Sequence, residues 1–149
     1  MIKIRKAELS DVAEIFTIEQ DVHISPWSEK LITGSFSDTH HNYVVERGSE
    51  IVGYLFTSLV AGELTLENIC VAKKAQGNGI GHALMERLEQ IANELVCFEI
   101  WLEVRASNLA AIALYEKTGF EQQGIRKNYY SIPNSQQKED AILMKRPVN

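Results

Sequence analysis

Three glycines alternate at Gly77, Gly79 and Gly81 in the run QGNGIGHALMERLEQ, and directly after them the chain takes up a helical rhythm. A glycine turn at the mouth of a helix gathers unpaired backbone N–H groups at the positive end of the helix dipole. That makes it a cradle for an anion, phosphate above all. Spacing separates the phosphate motifs that could apply. The nucleotide P-loop needs a Gly-Lys pair, which the chain lacks. The dinucleotide fingerprint needs glycine at position 82, where the chain has His82, although Glu103 lies at a suitable distance for a ribose contact. A flexible turn without a ligand is the plainest alternative.

Cys70 could act as an acyl-carrying nucleophile, but it sits in an apolar strand-like run with no base beside it in sequence. Cys97 lies in a similar run, so both read as packed, reduced thiols and not as a disulfide or metal ligands. The four histidines show no ligand spacing; His40 and His41 precede a strand and His82 starts a helix. No metal site is expected. Judged by type and place alone, Glu103 reads as a solvated strand glutamate and Tyr115 as an aromatic at the core's edge.

These residues must be positioned by short strands alternating with helices. Residues 2 to 7 alternate apolar and polar as an opening strand, and Ser10 and Asp11 can cap a helix through Val12, Ile15 and Phe16 to about Gln20. Pro26, Ser28 and Glu29 open a second, short helix. HNYVVERG and EIVGYLFTSLV form a hairpin about Gly48 and Ser49, and ELTLENICVAK adds a third antiparallel strand. The helix after the glycines has Leu84, Leu88, Ile91, Ala92 and Leu95 on one face, with Glu86, Arg87, Glu89 and Gln90 outward. CFEIWLEVRAS is then a strand, NLAAIALYEKTGF a helix stopped at Gly119, and two strands follow, one over about 120 to 130 and one in DAILMKRP. No repeat or linker divides the sequence, so residues 1–149 are expected to form a single domain.

Composition narrows the function. With 45% hydrophobic and 23% charged residues, and no apolar run of membrane-spanning length, the chain reads as soluble and globular. The opening MIKIRKAELSD lacks a signal peptide's apolar core, which points to the cytoplasm. A net charge of -5 argues against a nonspecific grip on nucleic acid and suits a basic peptide partner.

The run from Val71 to Gly81, with Gln76, Gly79 and Gly81 as a Q-x-x-G-x-G core, resembles the acyl-CoA-binding motif of the GNAT superfamily of N-acetyltransferases. WLEVRASNLAAIALYEKTGF at 101–120, PWSEK at 26–30, and RKNYY at 126–130 followed by EDAILM resemble the ribosomal-protein-alanine N-acetyltransferases of that superfamily. The likeness covers essentially the whole chain. It implies an α/β (α+β) fold: a mixed, mostly antiparallel sheet of about seven strands flanked by about four helices, splayed near Ile69 and Glu103 into a wedge for acetyl-CoA.

By the same resemblance, Gly77, Asn78, Gly79, Ile80, Gly81 and His82 present backbone N–H groups to the CoA pyrophosphate, and Gln76 contacts the cofactor. The strand edge at Ile69, Cys70 and Val71 pairs with the pantetheine amides, and Asn108 adds a CoA contact while also suiting a helix cap. Glu103 matches the family's general base and Tyr115 its general acid; Trp27, Tyr129 and Tyr130 match positions at the peptide entrance. The implied reaction is direct acetyl transfer in a ternary complex to a protein's N-terminal amine, that of the alanine of ribosomal protein S-18 in the family's pattern. Lysine, polyamine or antibiotic acetylation, and a non-catalytic acyl-CoA-binding module, are the alternatives. One departure stands out: PNSQQKED has no glycine before its acidic pair, where the family's closing segment carries one.

Overall fold

In the computed structural model, which describes residues 1–148, seven strands join one sheet. In chain order they are β1 (Ile2–Lys6), β2 (Tyr43–Arg47), β3 (Glu50–Val60), β4 (Glu63–Val71), β5 (Glu99–Arg105), β6 (Glu121–Ser131) and β7 (Lys138–Pro147). Four α-helices accompany them among the described residues: α1 (Val12–Val22), α2 (Glu29–Gly34), α3 (Ile80–Glu94) and α4 (Leu109–Lys117). The spatial strand order is β1-β2-β3-β4-β5-β7-β6. Neighbours are antiparallel except β4 and β5, which run parallel. The mixed, mostly antiparallel sheet with helices on both faces matches the expected fold class.

Local chemistry accounts for the elements. Ser28 caps α2 by accepting the Leu31 N–H at 3.1 Å, and α1 runs to Val22, slightly past the Gln20 expected from the apolar series. The near-continuous apolar run in β3 is explained by burial on both faces, from Ile51 through Thr57. On one face Leu64, Leu66, Leu84, Leu88, Ile100 and Leu102 pack between the sheet and α3 and α4. On the other, Val12, Ile15, Ile32, Tyr54, Phe56 and Cys70 pack beneath α1 and α2. Each such large side chain contributes about 1.5–3 kcal/mol when fully buried.

The sheet forks at its parallel pair. β4 and β5 are matched from Glu63 and Glu99 to Leu66 and Leu102, yet β4 continues to Val71 and β5 to Arg105. A β-bulge lies at the point of separation, where β3 pairs with Leu66 and then Asn68, leaving Glu67 as the extra residue. A bulge bends its strand and raises the local twist, which turns the end of β4 away from β5.

Candidate active site

A cleft of about 900 Å³ occupies the fork. Ile69, Cys70 and Val71 form its β4 wall, where the edge facing β5 has backbone groups without a strand partner. The glycine turn contributes Gln76, Gly77, Gly79, Ile80, Gly81 and His82, and α4 contributes Asn108 and Tyr115. Eleven sequence-chosen residues thus meet at one opening.

Two of the three glycines are required by their backbone. Gly77 has φ +82 and Gly79 φ +78, in the left-handed region that costs a side chain about 1–2 kcal/mol. Gly81 instead lies inside α3, where an added Cβ would meet Leu114 Cδ2 at 3.5 Å. The first α3 bond in the turn runs from the Ala83 N–H to the Gly79 carbonyl, so the N–H groups of Ile80, Gly81 and His82 precede it and are free to bind an anion. The Gln76 amide braces the turn by donating to the Val71 carbonyl at 3.1 Å, and Asn78 does the same toward Ala75 at 3.1 Å without lining the cleft. Asn108 accepts the Ala111 N–H at 3.2 Å as the α4 cap while also lining the cleft.

Tyr115 is buried against Phe120, and no described residue accepts its hydroxyl proton. Burial, then the nearby Tyr130, pushes its pKa well above the usual phenol value. Glu103 lies on β5, whose Ile100, Leu102 and Val104 fill the core on the α3 side, so its carboxylate projects from the other face. Its Oε2 is buried without a hydrogen bond; Arg126 Nε stands 3.2 Å away, close enough for charge attraction but misdirected for donation. Burial, then Glu103 and Tyr129, raises the Tyr130 pKa to about 12, and the Arg105 guanidinium stacks 4.5 Å from that ring's centre. Tyr129 packs edge-on against Tyr130 with ring centroids 5.0 Å apart. Trp27 packs edge-on against Phe56 of β3, on one side of the fork in strand order, while Tyr129 and Tyr130 lie on β6, on the other; none of the three lines the cleft.

Sequence reasoning missed the wall formed by Val22, His23, Ile24 and Ser25, and the group that anchors it. Glu19, 1% exposed, accepts from the Tyr54 hydroxyl at 2.7 Å, the Asn68 amide at 2.8 Å and the Trp27 N–H at 2.9 Å. His23 Nε2 reaches Asn68 Oδ1 at 3.1 Å. One buried carboxylate therefore ties the segment after α1 to β3 and β4. Its signal was present: Glu19 follows Ile15 by one helical step on the buried stripe of α1. Arg105 and Ser107 also line the cleft; Arg105 pairs with Glu139 at 2.8 Å, and Glu139 accepts the Ser107 N–H at 3.1 Å.

Cys70 lines the cleft through β4, and its thiol is buried. Burial pushes its pKa up to about 12, with the Tyr54 hydroxyl a smaller opposing influence and the Glu19 charge raising it further. Among the described residues no cluster of three or more His, Cys, Asp or Glu is placed to hold a metal, and no helix is long and apolar enough to cross a membrane.

The sequence profile of the acetyltransferase (GNAT) family matches residues 8–120. The chain is 39% identical over 149 residues to the [ribosomal protein bS18]-alanine N-acetyltransferase of Escherichia coli K12, covering 100% of this chain and 99% of that one. It is 36% identical over 141 residues to the protein of the same name from Haemophilus influenzae, covering 95% of each. The crystal structure of the Escherichia coli enzyme superposes with a TM-score of 0.93 over 100% of this chain and 95% of that one. A spermidine N-acetyltransferase chimera from Vibrio cholerae superposes at 0.85 with 19% identity, covering 98% of this chain and 95% of that one. The fold is thus shared by proteins named for different amine acceptors.

Proposed function

The chain belongs to the acetyltransferase (GNAT) family, and from that membership we propose that it transfers the acetyl group of acetyl-CoA to the N-terminal α-amine of a protein. By likeness to its full-length relatives, the acceptor is the N-terminal alanine of small-subunit ribosomal protein bS18, modified in the cytoplasm. The observation that carries the reading is the fork itself, where an anion cradle, a free strand edge and the Tyr115 phenol line one cleft, while Glu103, with an unsatisfied buried oxygen, stands on β5 one residue past the last β4–β5 rung without lining it.

Acetyl-CoA supplies an activated acetyl thioester. The free N–H groups of Ile80, Gly81 and His82 suit its pyrophosphate, and the Ile69–Val71 edge suits the amides of its pantetheine arm. Glu103 takes the proton that the acceptor ammonium must lose, since only the neutral amine attacks. An α-amine has a reference pKa of about 7.7–8.0, against about 10.4 for lysine, so a half-buried carboxylate is an adequate base. Tyr115 keeps its proton and offers it to the departing thiolate. Trp27, Tyr129 and Tyr130 order the acceptor's first residues from both sides of the fork.

The test is incubation with acetyl-CoA and short peptides beginning with alanine or another residue, alongside peptides with a blocked N-terminus and a lysine, and spermidine. Mass spectrometry should place the acetyl group on the α-amine of alanine-starting peptides. Acetylation confined to lysine or spermidine would replace the acceptor class, and tight CoA binding without turnover on any amine would leave a binding module.

A further inference from the structure

The proposed mechanism uses one of two carboxylates that directly follow the last rung of the β4–β5 pairing. Leu66 and Leu102 form the last rung of the β4–β5 pairing, and both side chains are buried on the α3 side. The next residue on each strand is an acid, Glu67 on β4 and Glu103 on β5, and both project from the opposite face. The bulge reinforces this on β4, because Glu67 has no partner on β3 and is followed by Asn68 facing the same side, toward Glu19 and His23. The two side chains are similarly accessible, 29% for Glu67 and 28% for Glu103.

Each acid is drawn outward by a base on its own bank. Glu67 Oε1 lies 3.0 Å from His40 Nε2, and His40 is held in turn by Ser37 Oγ at 2.7 Å from its Nδ1. His40 bridges to Ser58 on the far side of β3, whereas Arg126, the neighbour of Glu103, comes from β6 beyond β7. The fork therefore opens between two carboxylates that lean apart.

We propose that Glu67 is a second acidic contact for the acceptor, holding the incoming ammonium across the fork from Glu103, which takes the proton. The proposal rests on the amine-acetylating function above. Attraction to a carboxylate acts on the charged amine and not on the neutral one, so the contact governs capture of the acceptor and not the transfer step. The charged or titratable group in contact with Glu67 is His40 ahead of β2; Glu103 follows the same rung on β5, and Glu19 and His23 contact the adjacent Asn68. His40 is the direct partner of Glu67, so its own variant belongs in the test.

The experiment measures initial rates for wild type, Glu67→Gln, His40→Gln and Glu99→Gln on an alanine-starting peptide. Rates are taken at about pH 6.5, where an α-amine is mostly charged, and at about pH 9, where it is mostly neutral. Glu67→Gln should raise the acceptor KM about tenfold at the lower pH, with the increase closing at the higher pH. The KM for acetyl-CoA and the saturated kcat should stay near wild type. His40→Gln should leave the acceptor KM unchanged or lower it, because it removes the group that competes for Glu67. Glu99→Gln, on the same face of β5 but engaged with Lys145, should leave it unchanged and so controls for overall charge. An acceptor KM for Glu67→Gln that is unaltered at about pH 6.5, or raised equally at both pH values, overturns the proposal. So does reproduction of the effect by His40→Gln or Glu99→Gln. Wild type that acetylates no α-amine would sink the proposed function first, and this contact with it.

Discussion

Glu103 and Tyr115 should fail differently when altered. Glu103→Gln should lower turnover at neutral pH by about 10²–10⁴, and raising the pH should recover part of that loss because the peptide amine then deprotonates unaided. Tyr115→Phe should show a defect that persists at high pH. Its phenol pKa is raised by burial, so the hydroxyl stays protonated throughout the assay range and is not the source of any alkaline limb. A pH series of initial rates separates the two; near-wild-type rates for both variants would remove the pair from the mechanism. Cys70→Ala should retain most activity, because a thiol with a pKa near 12 has roughly one molecule in 10⁵ ionised at neutral pH. Intact-protein mass spectrometry should find no acetyl group that is passed on from Cys70. The packed character of Cys70 was legible from its apolar strand. The role proposed for Glu103 was not, since a glutamate at an outward position of an alternating strand is the pattern of a solvated face; only a family likeness singled it out.

The glycine turn and α1 make predictions of their own. Gly79→Ala forces a left-handed backbone onto a residue with a Cβ and should lower stability by about 1–2 kcal/mol while weakening acetyl-CoA binding. Gly81→Ala places its Cβ at an ordinary contact distance from Leu114, so it should keep wild-type stability and lose less affinity. Thermal melts with calorimetric titration distinguish them, and an unchanged affinity in Gly79→Ala would count against the cradle. Glu19→Ala should be among the most damaging single changes in α1. It orphans the donors of Tyr54, Asn68 and Trp27 at about 1–3 kcal/mol each, which a denaturant titration would register. The helix after the glycines and the β2–β3 hairpin were readable because their apolar periods are regular. The wall at residues 22–25 was not, because it depends on a long-range contact between one helix and two strands.

At the scale of the molecule, the fork is a sheet left unfinished, and a ligand that completes it should stabilise the whole. At a hundredfold excess over Kd, acetyl-CoA should add about 2.7 kcal/mol. The amides of Ile69, Cys70 and Val71 should gain protection from hydrogen exchange beyond that of β1 or β2; uniform protection would argue that the edge is not the contact. The alternation of strands and helices could be read along the chain, but the strand order could not, because β7 inserts between β5 and β6 and no local pattern encodes that choice. That insertion links synthesis to activity. β7 emerges last of the seven, yet it is an interior strand: Leu143 pairs with Glu103, and Glu139 positions both Arg105 and the Ser107 N–H. β1 to β4 and the glycine turn are synthesised while Glu103 still lacks the neighbour that fixes its strand. The strand edge and glycine turn proposed for the cofactor thus precede, in order of synthesis, the strand that supports the proposed base. A peptide spanning 138–147, added to a chain cut before Lys138, would be expected to restore transfer without being needed for the first contact with acetyl-CoA.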